Sequence, residues 1–318
     1  MSGGAAAAAL RAALESRCRF PDSERPMDVA VSGGADSLAL LLLSTLSGRA
    51  VTAWHVDHGL RPGGNEEAEV VRAAAERFDA AFRSVEVRVE PGPNLEARAR
   101  AARFRALPGD IATGHTADDQ AETVLINLMR GASTSGMAGM RAGHRHPMLD
   151  LRRSETHQLC AAFGLEAIED PTNLDLGFQR NLVRRHLLPL LCQVAGRDLV
   201  PVIVRQAKLA ADESDFMDGL ARRLDCADAS GLARSDLAVA RRAVRLWLAT
   251  VDGHPPSSAD VERVLAVARM EARATQVEGG RTVTRSKGRL TVEGRHGESP
   301  ATGVTALRAN RRSERTEI

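Results

Sequence analysis

Six consecutive residues, Ser32, Gly33, Gly34, Ala35, Asp36 and Ser37, stand between a short β-branched run (Val29, Val31) and an apolar stretch, Leu38–Leu43. That order predicts a strand, a glycine turn and a helix N-terminus. The first turn of a helix carries unpaired backbone N–H groups and the positive end of the macrodipole, so it attracts phosphate. Gly33 and Gly34 permit a tight turn and a close approach of backbone to an anion. Ser32 and Ser37 add hydroxyl donors. Asp36 is the odd member, because a carboxylate repels a polyphosphate. It makes sense beside a divalent cation, since magnesium takes one or two carboxylates plus phosphate oxygens. No lysine follows the glycines, which excludes the GxxxxGK[ST] loop of the common nucleotide hydrolases.

A second constellation lies in Gly114-His-Thr-Ala-Asp-Asp-Gln-Ala-Glu-Thr123. Asp119 and Glu122 are three apart on one helical face. Two readings are open: an acidic pocket for an amine, or an acidic first turn favoured by the helix dipole. His115 beside a phosphate loop tips the choice toward a site. His55 and His58 are spaced i, i+3 at a strand exit, a poor metal clamp, and one of them is as readily structural. Of the arginine run 98, 100, 103 and 105, most are ordinarily solvated; Arg100 and Arg103 are the candidates for phosphate contacts. Arg180, Arg184 and Arg185 suit either a nucleic-acid backbone or a basic helix face.

The elements that position these residues alternate. Strands are predicted at Asp28–Val31, Ala50–Val56, Arg83–Val89, Asp110–Thr113 and Met148–Leu151. Helices are predicted at Ala5–Arg17, Asp36–Ser47, Asn65–Phe78, Asn94–Leu107 and from the 114–123 motif to Arg130. Such alternation means an α/β fold, a parallel sheet with helices on both faces. In it Ser32–Ser37, His55–Arg61 and Gly114–Glu122 leave three strands at their carboxyl ends, where ligands sit. Residues 131–146 read as a long glycine-rich loop, a flexible cover over the site. Ser154 is the expected cap of a helix to Phe163. A smaller, mainly helical domain follows, with helices at Leu199–Ala227, Ser235–Thr250 and Ser258–Arg273. It ends in a β-hairpin around Lys287-Gly288. The expected division is 1–196, 197–298 and a polar tail, 299–318.

Composition sets the outer limits. At 318 residues with 43% hydrophobic and 26% charged residues, the chain reads as an ordinary globular protein. A net charge of +2 does not by itself demand a nucleic-acid partner. Only two of the 43 basic residues, Lys208 and Lys287, are lysines, a bias that fits a GC-rich genome better than a binding surface. The four cysteines are scattered and form no C-x-x-C pair, which argues against a zinc ribbon, a paired-cysteine cluster or a disulfide framework. No apolar run approaches membrane-spanning length. A cytoplasmic protein with no membrane partner is the expectation.

The order Ser-Gly-Gly-x-Asp-Ser after a strand resembles the pyrophosphate loop (PP-loop) of the ATP pyrophosphatase superfamily. Three further stretches narrow the resemblance: His55-Val-Asp-His-Gly-Leu-Arg61, Gly114–Leu125 with Arg130-Gly131, and Glu169-Asp-Pro-Thr-Asn173 with Arg180-Asn181. Together they resemble the tRNA(Ile)-lysidine synthase family from about Val29 to Pro189. Phe104 departs from the family's more common tyrosine, and His146-Pro147-Met148-Leu149 from its Arg-Pro-Leu-Leu. The resemblance implies ATP and magnesium as cofactors, and tRNA(Ile) with a CAU anticodon and free L-lysine as substrates. It implies that ATP adenylates the wobble cytidine with loss of pyrophosphate, and that the side-chain amine of lysine then displaces AMP. Asp36 would hold the metal, Ser32–Ser37 and His115 the nucleotide, and Asp119 and Glu122 the lysine. Arg100, Arg103, Arg180 and Arg184 would contact substrate. The helical second domain would read the tRNA, and a homodimer is compatible with the sequence. Two rivals stand beside this reading, a tRNA-thiolating enzyme of the same superfamily and a non-catalytic ATP- or RNA-binding module.

Overall fold

The computed structural model describes residues 2–22, 24–46, 48–57, 64–87, 102, 105–168, 175, 177–249 and 256–294. The chain forms two compact units, Met1–Ser214 and Asp215–Ile318.

The first unit is built on a parallel sheet. Strands β1 (Met27–Ala30), β2 (Val51–Asp57) and β3 (Ala81–Glu86) lie in the order β1-β2-β3. Register pairs Val29 with Ala53, and Ala53 with Phe82. The expected fourth strand is reduced to one parallel bridge, Val29 to Ala112, on the free side of β1. The chain therefore runs outward from β1 to β3 and then returns to the opposite side of β1. That reversal is a topological switch point, and it opens a crevice at the carboxyl end of β1, where the glycine turn begins. Helix α1 (Ser2–Glu15) leads in, α2 (Ala35–Ser44) connects β1 to β2, and α3 (Gly64–Arg77) connects β2 to β3. Leu38–Leu43 are all buried, so α2 is apolar around its whole circumference, as a helix sunk in a core must be.

Three more helices complete the site's frame: α4 (Ala117–Met129), α5 (Thr134–Met137) and α6 (Arg153–Ala162). The long loop expected at 131–146 is instead tied down. Gln120 on α4 donates to the carbonyls of Ala138 and Met140 and accepts the Met140 N–H at 2.8 Å, while Asn127 donates to the Gly136 carbonyl. Two other expectations fail. Residues 148–151 form a turn rather than a strand, closed by the Leu151 N–H on the Met148 carbonyl. Helix α6 is capped at Arg152, whose N–H meets the Glu155 carboxylate at 2.7 Å, and Ser154 lies inside the helix. After α7 (Gln179–Leu182) the chain takes one π-helical turn, Val183–Leu187, before α8 (Leu188–Ala195).

Helix α9 (Val200–Ala221) contains the divide between the units, and Gly196, the expected boundary, caps α8. The second unit packs α10 (Ala229–Arg234), α11 (Leu237–Leu248) and α12 (Ser258–Ala268) with an antiparallel sheet, β4 (Ala274–Val277), β5 (Arg281–Ser286) and β6 (Arg289–Glu293). The expected hairpin is present at β5–β6. Lys287 and Gly288 turn it with φ of 49° and 80°, the two positive values of a two-residue hairpin turn. Strand β4 adds a third member on the other edge of β5. The expected tail 299–318 lies outside the described residues.

Candidate active site

The glycine turn closes on itself. The Ser37 hydroxyl donates to the Gly34 carbonyl at 2.8 Å and accepts the Ser32 N–H at 3.1 Å, with the Ser32 hydroxyl 3.3 Å away. Gly33 takes φ of +85°, and its carbonyl accepts the Ile168 N–H. Gly34 then caps α2, its carbonyl accepting the Ser37 and Leu38 N–H groups at 3.0 Å each. Ala35 is buried beneath this turn. The segment after the Ala112 bridge packs onto the same place. A Cβ on Gly114 would stand 2.7 Å from the Asp36 carbonyl oxygen, so only glycine fits there. Gly114→Ala is expected to push the turn out of register and weaken ATP binding more than tenfold. Calorimetric titration with a non-hydrolysable ATP analogue checks this; unchanged affinity would show that the contact is slack.

Asp119 and Glu122 are brought together with the phosphate turn, though not as an open acidic pocket. Asp119 is the capping carboxylate of α4: its Oδ2 accepts the Thr116 N–H at 2.9 Å and the Thr116 hydroxyl at 2.8 Å. Its Oδ1 faces three guanidinium groups, Arg153 at 2.9 Å, Arg180 at 3.0 Å and Arg184 at 3.3 Å. Glu122 is fully buried and meets the same three, Arg184 at 2.7 Å, Arg180 at 2.9 Å and Arg153 at 3.2 Å. Arg180 and Arg184 are one turn apart across the junction of α7 and the π-helical turn, which gives them a common face. Arg153 also reaches Asp36, at 3.4 Å. One arginine thus joins the phosphate-turn carboxylate to the acidic pair. These three cations match the three anions Asp36, Asp119 and Glu122.

The electrostatics follow from that crowding. Burial raises the Asp36 carboxyl, partly countered by the Thr156 hydrogen bond and Arg153. Burial also pushes Asp119 upward, but Arg153, Arg180, the Thr116 N–H and His115 more than reverse this, from an ordinary 3.8 down to about 2. Asp119 therefore stabilises the fold fully above its unfolded value and loses that contribution as pH falls through about 2. The difference corresponds to about 2 kcal/mol at neutral pH. The stability gap between the parent protein and Asp119→Asn should narrow from pH 7 to pH 3, as read from urea midpoints.

The remaining candidates fall variously. His115 sits at the site's edge, its Nδ1 2.6 Å from the Thr113 hydroxyl and its ring edge-on to His146. His55 is buried, with Nδ1 3.1 Å from the Val31 carbonyl, a tie between β2 and the start of the turn. Arg100, Arg103, His58 and the Glu169–Asn173 stretch lie outside the described residues. Arg153, Thr156 and Thr116 were missed. Arg153 sat in a plain Arg-Arg-Ser-Glu helix start. Thr156 was discoverable only as a polar residue in phase with buried Leu159 and Cys160.

The PP-loop domain family model matches residues 6–191, and the TilS substrate binding domain model matches residues 228–291. A tRNA(Ile)-lysidine synthase of Nocardia farcinica is 37% identical over 307 residues, covering 89% of this chain and 96% of the relative. The chain belongs to the tRNA(Ile)-lysidine synthase family. A second family member, from Mycolicibacterium paratuberculosis, is 41% identical over 235 residues, covering 69% of this chain and 73% of its own. Among solved structures, the U34-tRNA thiolase NcsA from Methanococcus maripaludis with its [4Fe-4S] cluster superposes with a TM-score of 0.51 at 16% identity. It covers 64% of this chain and 79% of that one, a likeness of fold alone. The matched PP-loop domain is ATP-utilising in this family, and the closed serine–glycine turn lies within the matched residues. Among the described residues, no single helix is long and apolar enough to cross a membrane.

Proposed function

We propose that the chain ligates L-lysine to the wobble cytidine of tRNA(Ile) bearing a CAU anticodon, at the expense of ATP. The base's carbonyl oxygen attacks the α-phosphorus and pyrophosphate leaves. The side-chain nitrogen of lysine then attacks the activated ring carbon, loses its proton, and AMP departs with the oxygen. The observation that carries this reading is the link from Asp36 in the phosphate turn through Arg153 to the buried Asp119–Glu122 pair. A nucleotide subsite and a cation subsite are thereby adjacent.

In this reading Ser32–Ser37 and His115 would hold the nucleotide, and Asp36 would hold a magnesium ion. The carboxylate suits that ion: it stands at the N-terminus of α2, a quarter exposed, in surroundings that disfavour its bare charge. Magnesium bound there would neutralise charge on the leaving pyrophosphate. Asp119 and Glu122 take the lysine ammonium, and Arg180 and Arg184, released from the pair, turn to phosphate groups of substrate. Arg100 and Arg103 are carried as further tRNA contacts. By role the proposed division is 1–196 for the ATP chemistry, 197–298 for selecting the tRNA, and 299–318 as a tail. The cytoplasm is the proposed location, and a homodimer is compatible with it.

The thiolation rival needs a reactive thiolate or an iron–sulfur cluster beside the glycine turn, and the sequence has no paired cysteines for a cluster. Burial pushes Cys160 and Cys226 up to about 11 and Cys18 up to about 12, so these three are inert thiols at neutral pH. A pure binding module has no use for three clustered carboxylates that each require a cation. The deciding experiment incubates purified protein with ATP, magnesium, labelled lysine and total tRNA. Label in RNA with equimolar AMP and pyrophosphate is expected; pyrophosphate with sulfur in the RNA only when a sulfide donor replaces lysine would install the thiolation reading, and no pyrophosphate the binding one.

A further inference from the structure

Helix α6 meets the start of α2 through three side chains on one face, Arg153, Thr156 and Cys160. The Cys160 thiol donates to the Ala35 carbonyl at 3.3 Å, and the Thr156 hydroxyl donates to Asp36 Oδ1 at 2.5 Å. Arg153 Nε approaches the other oxygen, Oδ2, at 3.4 Å. Each Asp36 oxygen thus has its own partner on α6. Thr156 is completely buried, where a valine would fill the same volume without a polar atom to satisfy. A helical threonine commonly bonds back to a carbonyl of the preceding turn, and Thr156 is within 2.7 Å of the Arg153 carbonyl. That habit explains a satisfied hydroxyl; it does not explain the closer bond across to α2.

The need arises in Asp36 itself. The terminal torsion of an aspartate is broad, so no rotamer preference fixes the plane of its carboxylate. External hydrogen bonds must do so if the oxygens are to face a ligand in one orientation. Arg153 is a poor instrument, because it serves Asp119 and Glu122 as well, and its contact with Asp36 is the longest of the three. Among the described residues, Thr156 is the side chain that bonds Asp36 without serving another carboxylate. We propose that Thr156 is a positioning residue, setting the orientation of the Asp36 carboxylate for the ATP-dependent first step. This rests on the role given to Asp36 above.

The test uses the full chain with Thr156→Val, which keeps the shape and removes the hydroxyl, and Thr156→Ser, which keeps the hydroxyl. Single-turnover pyrophosphate release should fall about 10- to 100-fold in the valine variant, the scale of a lost hydrogen bond to a charged group. The Michaelis constant for lysine should stay unchanged, and the serine variant should recover most of the rate. A second readout needs no turnover: Mn(II) affinity in the presence of a non-hydrolysable ATP analogue, by electron paramagnetic resonance, should weaken in valine and return in serine. If the valine variant does not fold, Thr156→Ala replaces it. A folded hydroxyl-free variant with the parent's rate and Mn(II) affinity overturns the proposal, as does a serine variant as damaged as valine. Asp36→Asn serves as reference. Its loss of pyrophosphate release beside an intact valine variant refutes positioning alone; its full activity refutes the Asp36 reading and this proposal with it.

Discussion

Asp36→Asn is expected to slow pyrophosphate release about 10²–10³-fold, the scale of losing one preorganised electrostatic contact in an active site. The fold should survive. Asp36 is a quarter exposed, and its neighbours have other partners: Thr156 retains the Arg153 carbonyl, and Arg153 retains Asp119 and Glu122. Asparagine keeps the volume and one acceptor oxygen for Thr156, so the change isolates the charge. Its effect should therefore appear in the first step and in metal-dependent nucleotide binding, with little change in melting temperature. A folded Asp36→Asn protein releasing pyrophosphate at the parent's rate would sink the assignment. Comparison with Asp36→Ala separates charge from orientation, because alanine removes both.

What could be read from sequence was whatever is local. The phosphate turn is written in six adjacent residues, and the structure closes it through bonds no more than five residues apart. The alternation of strand and helix gave the parallel sheet, and Lys287-Gly288 gave the hairpin. Short elements failed for a physical reason: 148–151 is apolar enough for a strand, but its buried leucines and methionine pack within a turn. The 131–146 segment looked unanchored because its anchor, Gln120, lies on α4 and bonds across to it. The electrostatic wiring was hidden by distance along the chain. Thr156 meets Asp36 across 120 residues, and Arg184 meets Glu122 across 62. Spacing placed Asp119 and Glu122 on one face, yet nothing in a single sequence says which of 41 arginines will reach them.

The second large effect is expected at Glu122. It is fully buried against three guanidinium groups that are each partly exposed. Glu122→Gln removes one of two charges those arginines share, and breaking a buried pair this way costs about 3 kcal/mol, the lower end of the usual range because the arginines can turn to water. The functional consequence separates two roles. In the structure the guanidiniums occupy the acidic pair, so a lysine ammonium bound at that pair would have to displace at least one of them. Phosphate groups of ATP and tRNA are the natural lure, since they form equally strong bidentate pairs with arginine. Lysine should accordingly bind more tightly to the protein carrying tRNA and a non-hydrolysable ATP analogue than to the protein alone. If the pair binds the ammonium, Glu122→Gln raises the Michaelis constant for lysine and leaves adenylation near normal. If Glu122 instead takes the amine's proton, turnover falls even at saturating lysine and adenylated tRNA accumulates. Two adjacent carboxylates stabilise a cation and oppose its deprotonation, which favours binding. Quench-flow measurement of adenylated tRNA across a lysine series reads both outcomes. A folded protein lacking both carboxylates, Asp119→Asn with Glu122→Gln, that still used lysine normally would put the amine's subsite elsewhere.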